Sequence, residues 1–199
     1  MNDFIAIDFE TASESPESAV SVGLVKYHDY KPVASYYSLV RPPVLYIRPD
    51  FTELHGLAVN DVKDAPDFKY IWENEIHGFF GSIPFAAHNA AFDMNVLCAV
   101  LKHYEITIPD TQYFCTLQMS RKVWPKLRSH ALKALAREFS IIYEAHNAAA
   151  DADTCARIVA LSAAEISSRL KRKTSLTLDS LLKKTGTELK KLAPDRHTQ

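Results

Sequence analysis

The first forty residues alternate apolar and polar positions with the period of a β-strand. In residues 4–11 (FIAIDFET), one face carries Phe4, Ala6, Asp8 and Glu10, and the other carries the intervening isoleucines and Phe9. Residues 20–27 and 33–40 are also typical of strands, and the short turn HDYKP joins them. The pattern therefore predicts a three-stranded meander at the start of the chain.

Helical spacing dominates the rest of the chain. Apolar residues recur at helical intervals over residues 67–80, 90–104, 129–139 and 148–170, and Ser129 is the expected N-cap of the third of these helices. Short apolar runs at 84–87 and 113–117 predict two further strands, whereas the three prolines within 41–49 predict an irregular connection. The order of elements predicts an α/β fold with a mixed five-stranded sheet flanked by helices.

Length and composition fit one globular domain. The chain has 199 residues, of which 47% are hydrophobic and 24% charged. The first fifteen residues carry acids and no basic leader, so we expect no signal peptide, and no apolar stretch is long enough to predict a membrane span. Three widely spaced cysteines without a CxxC pair favour a reducing, cytoplasmic location.

Charge divides the chain into an acidic body, 1–168, and a basic tail, 169–199. The tail has nine Lys and Arg against three Asp and Glu, a balance of +6 that contrasts with the overall net charge of −1. Its leucines, from Leu178 to Leu192, indicate one or two weak amphipathic helices broken near Gly186. Either this tail is a solvated helix packed on the body, or it docks a partner or nucleic acid.

Asp8 and Glu10 are the first residues that suggest chemistry. Two positions apart on a strand, their carboxylates project from the same face. Burying paired anions is costly unless a cation balances them, and hard oxygen ligands favour magnesium or manganese. The alternative is that the strand ends here and both acids face water.

Two HNAA segments supply further acids. In HNAAFD, Asp93 opens a helix, and in HNAAAD, His146 precedes a helix whose first turn contains Asp151. Each acid alone is explained by the helix dipole, and His146 alone by an exposed loop. Together with Asp8 and Glu10 they give four carboxylates and one titratable base. Such a set suits two magnesium ions about 4 Å apart at a phosphodiester, with histidine to accept a proton from water.

Three segments resemble the motifs of a known family. IAIDFET, HNAAFDMNVL and HNAAADA are similar, in that order, to the three exonuclease motifs of the DnaQ-like (DEDDh) 3′–5′ exonucleases, and FTELHGLAVNDVKDAPDF resembles the stretch between motifs one and two. This family includes the proofreading epsilon subunit of bacterial DNA polymerase III, RNase T and oligoribonuclease. The resemblance extends over about residues 3–164 and leaves the tail uncovered.

The resemblance implies a ribonuclease H-like fold, two Mg²⁺ ions (Mn²⁺ as a substitute) and release of nucleoside 5′-monophosphates from 3′ ends. It implies that Asp8, Glu10, Asp93 and Asp151 hold the metal ions, with Asp8 bridging both. His146 would deprotonate the attacking water. Thr11 and His55 would bind the terminal nucleotide, although the HG at 55–56 also fits a simple turn at a helix end.

Substrate and partners stay open at this stage. Single-stranded DNA is favoured over RNA, with an exoribonuclease, a non-catalytic module that binds nucleic acid or a polymerase, and a metal-stabilised structural domain as alternatives. The basic and aromatic segment 121–130 (RKVWPKLRSH) suits phosphate contacts and base stacking, or is an ordinary solvated loop. A polymerase or repair protein is a candidate partner, and a homodimer is compatible with the sequence. No membrane association is expected.

Overall fold

The meander begins the fold as predicted. The computed structural model describes residues 2–80 and 83–192. Its first strands are β1 (Phe4–Thr11), β2 (Ala19–His28) and β3 (Lys31–Leu39), paired antiparallel in sequence order. Asp29 and Tyr30 both have positive φ, 48° and 61°, which is the backbone of a tight two-residue hairpin turn.

The full sheet is mixed and has six strands, in the order β3-β2-β1-β4-β5-β6. β4 (Phe85–Ala87) and β5 (Gln112–Cys115) lie parallel to β1, and β6 (Lys190–Lys191) adds antiparallel to β5. The α/β class and mixed sheet are confirmed, but the prediction of five strands is wrong. β6 comes from the tail, where one of the expectations was a second helix. A strand of only two residues is too short to show an alternation of apolar and polar positions, so the sequence pattern did not reveal it.

Eight α-helices surround the sheet within the described residues: α1 (Pro49–His55), α2 (Val59–Val62), α3 (Phe68–Ile71), α4 (Ala91–His103), α5 (Thr116–Val123), α6 (Leu132–Glu138), α7 (Ala148–Arg169) and α8 (Leu178–Thr185). The helix predicted over 67–80 continues from α3 as a π-helical turn, Trp72–Ile76, and a 3₁₀ turn, His77–Phe79. Ser129 is not an N-cap. Its hydroxyl accepts a hydrogen bond from the Ala131 amide at 3.3 Å, and the helix begins only at Leu132.

β1 separates two hydrophobic clusters, as its alternation predicts. Ile5, Ile7 and Phe9 belong to the cluster beneath α3 and α4, whereas Phe4 and Ala6 belong to the cluster beneath α5, α7 and α8. The carboxylates of β1 continue the second face, so they emerge where α7 begins to cover the sheet.

The leucines of the tail pack on the body. Leu178, Leu181 and Leu182 are at most 5% exposed and join the second cluster, and Gly186 ends α8 with a φ of 62°. Burying one leucine contributes about 1.5–3 kcal/mol. α8 is therefore a packed helix whose lysines face solvent, while residues 193–199 of the tail lie outside the described residues.

Candidate metal and active site

The two carboxylates of β1 lie on the central part of the sheet. β1 is hydrogen-bonded to β2 on one side and to β4 on the other. Asp8 is partly buried and Glu10 is 9% exposed. The alternative in which both acids project freely into water does not hold, because protein atoms cover both side chains.

Asp151 completes a cluster with these two residues. One ligand atom from each of Asp8, Glu10 and Asp151 lies within 4.8 Å of the others. Asn147 caps α7 by accepting a hydrogen bond from the Ala150 amide at 3.2 Å, and Oδ2 of Asp151 accepts one from the Asn147 amide at 3.1 Å. The cap thereby fixes the first turn of α7 and holds the Asp151 carboxylate over the strand.

Asp93 joins the site from the opposite direction. It lies in the first turn of α4, is 1% exposed, and its Oδ1 accepts a hydrogen bond from the Phe9 amide at 3.2 Å. Phe9 stands between Asp8 and Glu10 in the sequence. A surface acid that only complements the helix dipole would not be buried against the neighbouring strand, so the structure brings all four predicted carboxylates to one place.

The pKa values of these groups show how strongly the site favours a positive charge. Burial, followed by the repulsion of Asp151, raises the pKa of Glu10 to about 7. Burial also raises the pKa of Asp93 to about 8, opposed by its hydrogen bond from Phe9. The pKa of Asp8 is raised well above its usual range by burial and then by the charges of Asp93, Asp151 and Glu10. Among the described residues, no lysine or arginine forms an ion pair with any of the four.

This donor set fits a hard divalent cation. The clustered ligands are carboxylate oxygens from two elements, β1 and α7, with no cysteine or histidine among them, and such sites select magnesium or manganese over zinc. A cation would offset the mutual repulsion that otherwise keeps these acids protonated. Asp8, Glu10 and Asp151 are the residues placed to hold it directly, and Asp93 lies beside them.

His146 lies next to the carboxylates without belonging to their cluster. It is exposed, in the turn before α7, with a φ of 64°. Its backbone amide and its imidazole both lower the pKa of Asp151, while burial raises that pKa more strongly. The left-handed backbone turns the chain immediately before the helix cap, so the imidazole stands at the solvent side of the site.

His55 ties two elements together at the end of β1. Its Nε2–H donates to the Thr11 carbonyl at 3.1 Å, and its Nδ1 accepts from the Leu57 amide at 3.1 Å. Burial lowers its pKa, partly offset by the Thr11 carbonyl. Both ring nitrogens are thus engaged with backbone, and the predicted contact of His55 and Thr11 with substrate stays a prediction.

His88 braces the turn that leads to Asp93. Its Nε2–H donates to the His130 carbonyl at 2.9 Å, and its Nδ1 lies 2.9 Å from the Thr116 hydroxyl. The same hydroxyl lies 3.3 Å from Sγ of Cys155 on α7. Burial lowers the pKa of His88 to about 4, so the ring is neutral near pH 7. A short polar chain therefore links the turns that carry Asp93 to the helix that carries Asp151.

Gly23 and Tyr143 are two residues of the site that the sequence did not reveal. Gly23 pairs with Asp8 across the β1–β2 ladder, and a Cβ at this position would lie 2.2 Å from the Ala148 carbonyl oxygen. A glycine inside a strand is a general signal of close backbone approach. Tyr143 lies in the loop before His146, and burial, followed by the charges of Asp151 and Asp8, raises its pKa to about 12. Nothing in its local sequence marks it.

No helix in the described ranges is both long and apolar enough to cross a bilayer.

Comparisons with known proteins agree with this geometry. Residues 5–159 match the RNase_T family, described as an exonuclease. The chain is 29% identical over 159 residues to the DNA polymerase III PolC-type of Caldanaerobacter subterraneus subsp. tengcongensis, covering 78% of this chain and 11% of that protein. It is 27% identical over 162 residues to the 3′-5′ exonuclease DinG of Staphylococcus saprophyticus, covering 80% and 18% respectively. The chain thus spans less than a fifth of the length of these relatives.

Solved structures share the fold. Exonuclease X in complex with 5′ overhanging duplex DNA superposes with a TM-score of 0.68 at 24% identity, covering 92% of this chain and 99% of that one. E. coli Exonuclease I in complex with a dA16 oligonucleotide gives 0.72 at 15% identity, covering 83% and 41%. With its three motifs in order, three carboxylates in one cluster with Asp93 beside them, and a family match from residue 5 to residue 159, the chain belongs to the RNase_T exonuclease family, as the DnaQ-like resemblance implies.

Proposed function

We propose that the protein is a metal-dependent 3′–5′ exonuclease that hydrolyses single-stranded DNA from its 3′ end and releases nucleoside 5′-monophosphates. The observation that carries the proposal is the convergence of Asp8, Glu10 and Asp151 within 4.8 Å, with Asp93 bonded to the strand between the first two. Paired acids at a phosphodiesterase site hold divalent ions, and two Mg²⁺ ions would stabilise the attacking and leaving oxygens of the displacement.

The protein residues have separate tasks in this mechanism. Asp8, Glu10 and Asp151 would hold the ions directly, and Asp93 would support the second one. His146, free of the carboxylate cluster and at the solvent side, accepts the proton of the attacking water, a task suited to imidazole near neutral pH. The neutral phenol of Tyr143 has a proton to donate to a substrate phosphate oxygen.

Thr11 and His55 are proposed to receive the terminal nucleotide. The bond from His55 to the Thr11 carbonyl fixes the end of β1 just beyond Glu10. Because both ring nitrogens of His55 are already bonded to backbone, His55 would act on the substrate indirectly, by fixing the position of the Thr11 backbone. A terminal nucleotide at this place would present its last phosphodiester to the carboxylates.

The relatives favour DNA as the substrate. The name of one relative refers to a DNA polymerase and that of another to a 3′-5′ exonuclease, and two solved structures that share the fold contain DNA. We infer work at DNA ends, with a polymerase or other replication or repair protein as a partner. We place this activity in the cytoplasm, since three widely spaced cysteines without a CxxC pair are typical of a reducing compartment. A 3′–5′ exoribonuclease is the second candidate, because the same carboxylates serve either backbone.

Matched DNA and RNA oligonucleotides labelled at the 5′ end test the proposal. We expect a ladder of shortened DNA products with Mg²⁺, none with EDTA, and slower digestion of RNA. Asp151→Asn should abolish the ladder. Asp153→Asn is the matched control, because Asp153 lies two residues along α7 and pairs with Arg157 outside the cluster. Cleavage that persists in EDTA, or an inactive control beside an active Asp151→Asn, would contradict the assignment.

A further inference from the structure

A concentrated positive charge lies away from the carboxylates, on two separate segments. Residues 121–128 and 169–173 together contain eight of the chain's 23 lysines and arginines and no aspartate or glutamate. The rest of the chain is strongly acidic, since the overall net charge is only −1. A polyanion would be repelled by most of this acidic protein but attracted to these two segments.

The fold brings the two segments together at the far ends of α5 and α7. Nη2 of Arg169 donates to the Val123 carbonyl at 2.7 Å, and Nε of Arg169 donates to Glu165 at the same distance. Trp124 packs its ring against Phe139, with centroids 4.5 Å apart. A surface pocket of about 440 Å³ opens between the segments, lined by Trp124, Pro125, Lys126, Leu127 and Arg169. We call residues 121–128 and 169–173 the distal basic surface.

The near end of this surface reaches the turn that positions Asp93. The charge of Arg121 contributes to lowering the pKa of both His88 and His130, after the larger effect of burial. His88 in turn is bonded to the His130 carbonyl. Arg121 therefore lies beside the motif-two turn, and the positive charge extends from there toward Arg169.

The far end is too distant to touch the reacting nucleotide. Asp151 and Arg169 lie on the same helix, eighteen residues apart, which corresponds to about 27 Å at 1.5 Å per residue. At the 3.4 Å spacing of phosphates along a stacked strand, this distance corresponds to about eight nucleotides. Contacts at the far end would thus act on DNA well upstream of the 3′ end.

We propose that the distal basic surface is a second nucleic-acid-binding site, which holds the upstream backbone of the single strand whose 3′ end lies among the carboxylates. Exposed cations combined with an aromatic ring are typical of sites that bind single strands without reading their sequence. This inference rests on the proposed function and adds a dependence on substrate length. Oligonucleotides shorter than about eight nucleotides do not reach the far end of the surface, and longer ones gain affinity from it.

The test neutralises four exposed cations of this surface that take part in no described ion pair. The variant combines Lys126→Gln, Arg128→Gln, Arg172→Gln and Lys173→Gln. A control with the same change in net charge combines Lys31→Gln, Lys63→Gln, Lys69→Gln and Lys102→Gln, all exposed and outside the surface. Binding of a 5′-fluorescent 20-mer and of a 4-mer of DNA is measured by anisotropy in EDTA across a range of salt concentrations, and kcat/KM for both is measured with Mg²⁺.

We expect the surface variant to bind the 20-mer at least about tenfold more weakly. Its affinity should also depend less on salt, because each lost phosphate contact removes about 0.7 from the slope of log K against log salt. Its kcat/KM on the 4-mer should equal that of the unaltered protein, and the control should keep both slope and affinity. An unchanged salt slope, or an equal loss in the control, would overturn the inference. Absence of cleavage of either DNA by the unaltered protein would instead refute the proposed function, and the EDTA binding data would still decide the role of the surface.

Discussion

Replacing Gly23 by alanine should disable the site without touching any of its chemical groups. Gly23 lies on β2 directly opposite Asp8, and the start of α7 rests on its backbone. The added Cβ would lie 2.2 Å from the Ala148 carbonyl oxygen and 2.5 Å from the Ala149 amide nitrogen. Ordinary contact begins at 3.4 Å, and because both neighbours are backbone atoms, no side chain can rotate away.

The size of the effect follows from these distances. The first turn of α7 must move by about 1 Å, or β2 must bend by a similar amount, at a cost of about 1–3 kcal/mol for overpacking. Asp151 lies in that turn and moves with it, away from Asp8 and Glu10. Misplacing a catalytic group by about 1 Å costs about 10²-fold in rate. We therefore expect Gly23→Ala to lose about 10²-fold in kcat and to require more Mg²⁺.

The assay measures kcat on a 5′-labelled DNA oligonucleotide, a Mg²⁺ titration of activity, and the melting temperature. Gly78→Ala is the matched control, since a Cβ there meets nothing within 4 Å. It should leave kcat and the Mg²⁺ requirement unchanged. A folded Gly23→Ala protein with the unaltered kcat and Mg²⁺ dependence would refute the view that close packing on this glycine sets the position of Asp151.

Three further predictions concern titratable groups of the site. His146→Ala should lower kcat by about 10²–10⁴-fold with little change in Mg²⁺ affinity measured by calorimetry, whereas Asp151→Asn should weaken both; a near-normal rate for His146→Ala at pH 7 would exclude it as the base. The pKa values of Glu10 and Asp93 are raised by burial from about 4 to about 7 and about 8, so the metal-free fold loses stability as pH rises from about 4 to about 8. The increase in melting temperature on adding Mg²⁺ should therefore be larger at pH 8 than at pH 5.5. Because burial lowers the pKa of His88 to about 4, its neutral ring contributes its full stabilisation above pH 6.5, and the free energy of unfolding falls by up to about 3 kcal/mol as pH decreases from 6.5 through 4. His88→Gln should flatten this part of the profile of urea midpoint against pH. An unchanged profile would show that another group causes the acid sensitivity.

Local sequence patterns predicted the parts of the fold whose periods are long and regular. β1 matches its expected bounds, Phe4–Thr11, and α7 ends within one residue of its expectation. α5 was not predicted, because its turns mix Thr116, Gln118 and two basic residues with few apolar positions. Its buried face forms against α7, α8 and β4, which are contacts that its local sequence does not record. β6 exists through its pairing with β5, a contact between residues some eighty positions apart that no local pattern records.

The site was predicted as a set of residues and not as a geometry. Order and spacing of the motifs led to Asp8, Glu10, Asp93, His146 and Asp151, but they did not show that Asp93 is bonded to the Phe9 amide. Nor did they show that both nitrogens of His55 are engaged with backbone. These details depend on how α4 and α1 dock on β1, which follows from packing across the whole sheet.

The hydrogen bonds that hold Asp93 and Asp151 also bear on ion selectivity. Each carboxylate commits one oxygen to a backbone amide, of Phe9 in one case and of Asn147 in the other. These bonds favour coordination of an ion through the other oxygen of each carboxylate over symmetric chelation through both oxygens, which is the mode that large, loosely coordinated Ca²⁺ uses readily. Single-oxygen ligands on rigid elements suit the smaller octahedral shell of Mg²⁺ or Mn²⁺. The backbone of β1 and the cap of α7 thereby favour single-oxygen coordination by Asp93 and Asp151, and Ca²⁺ should occupy the site as a poorly fitting competitor.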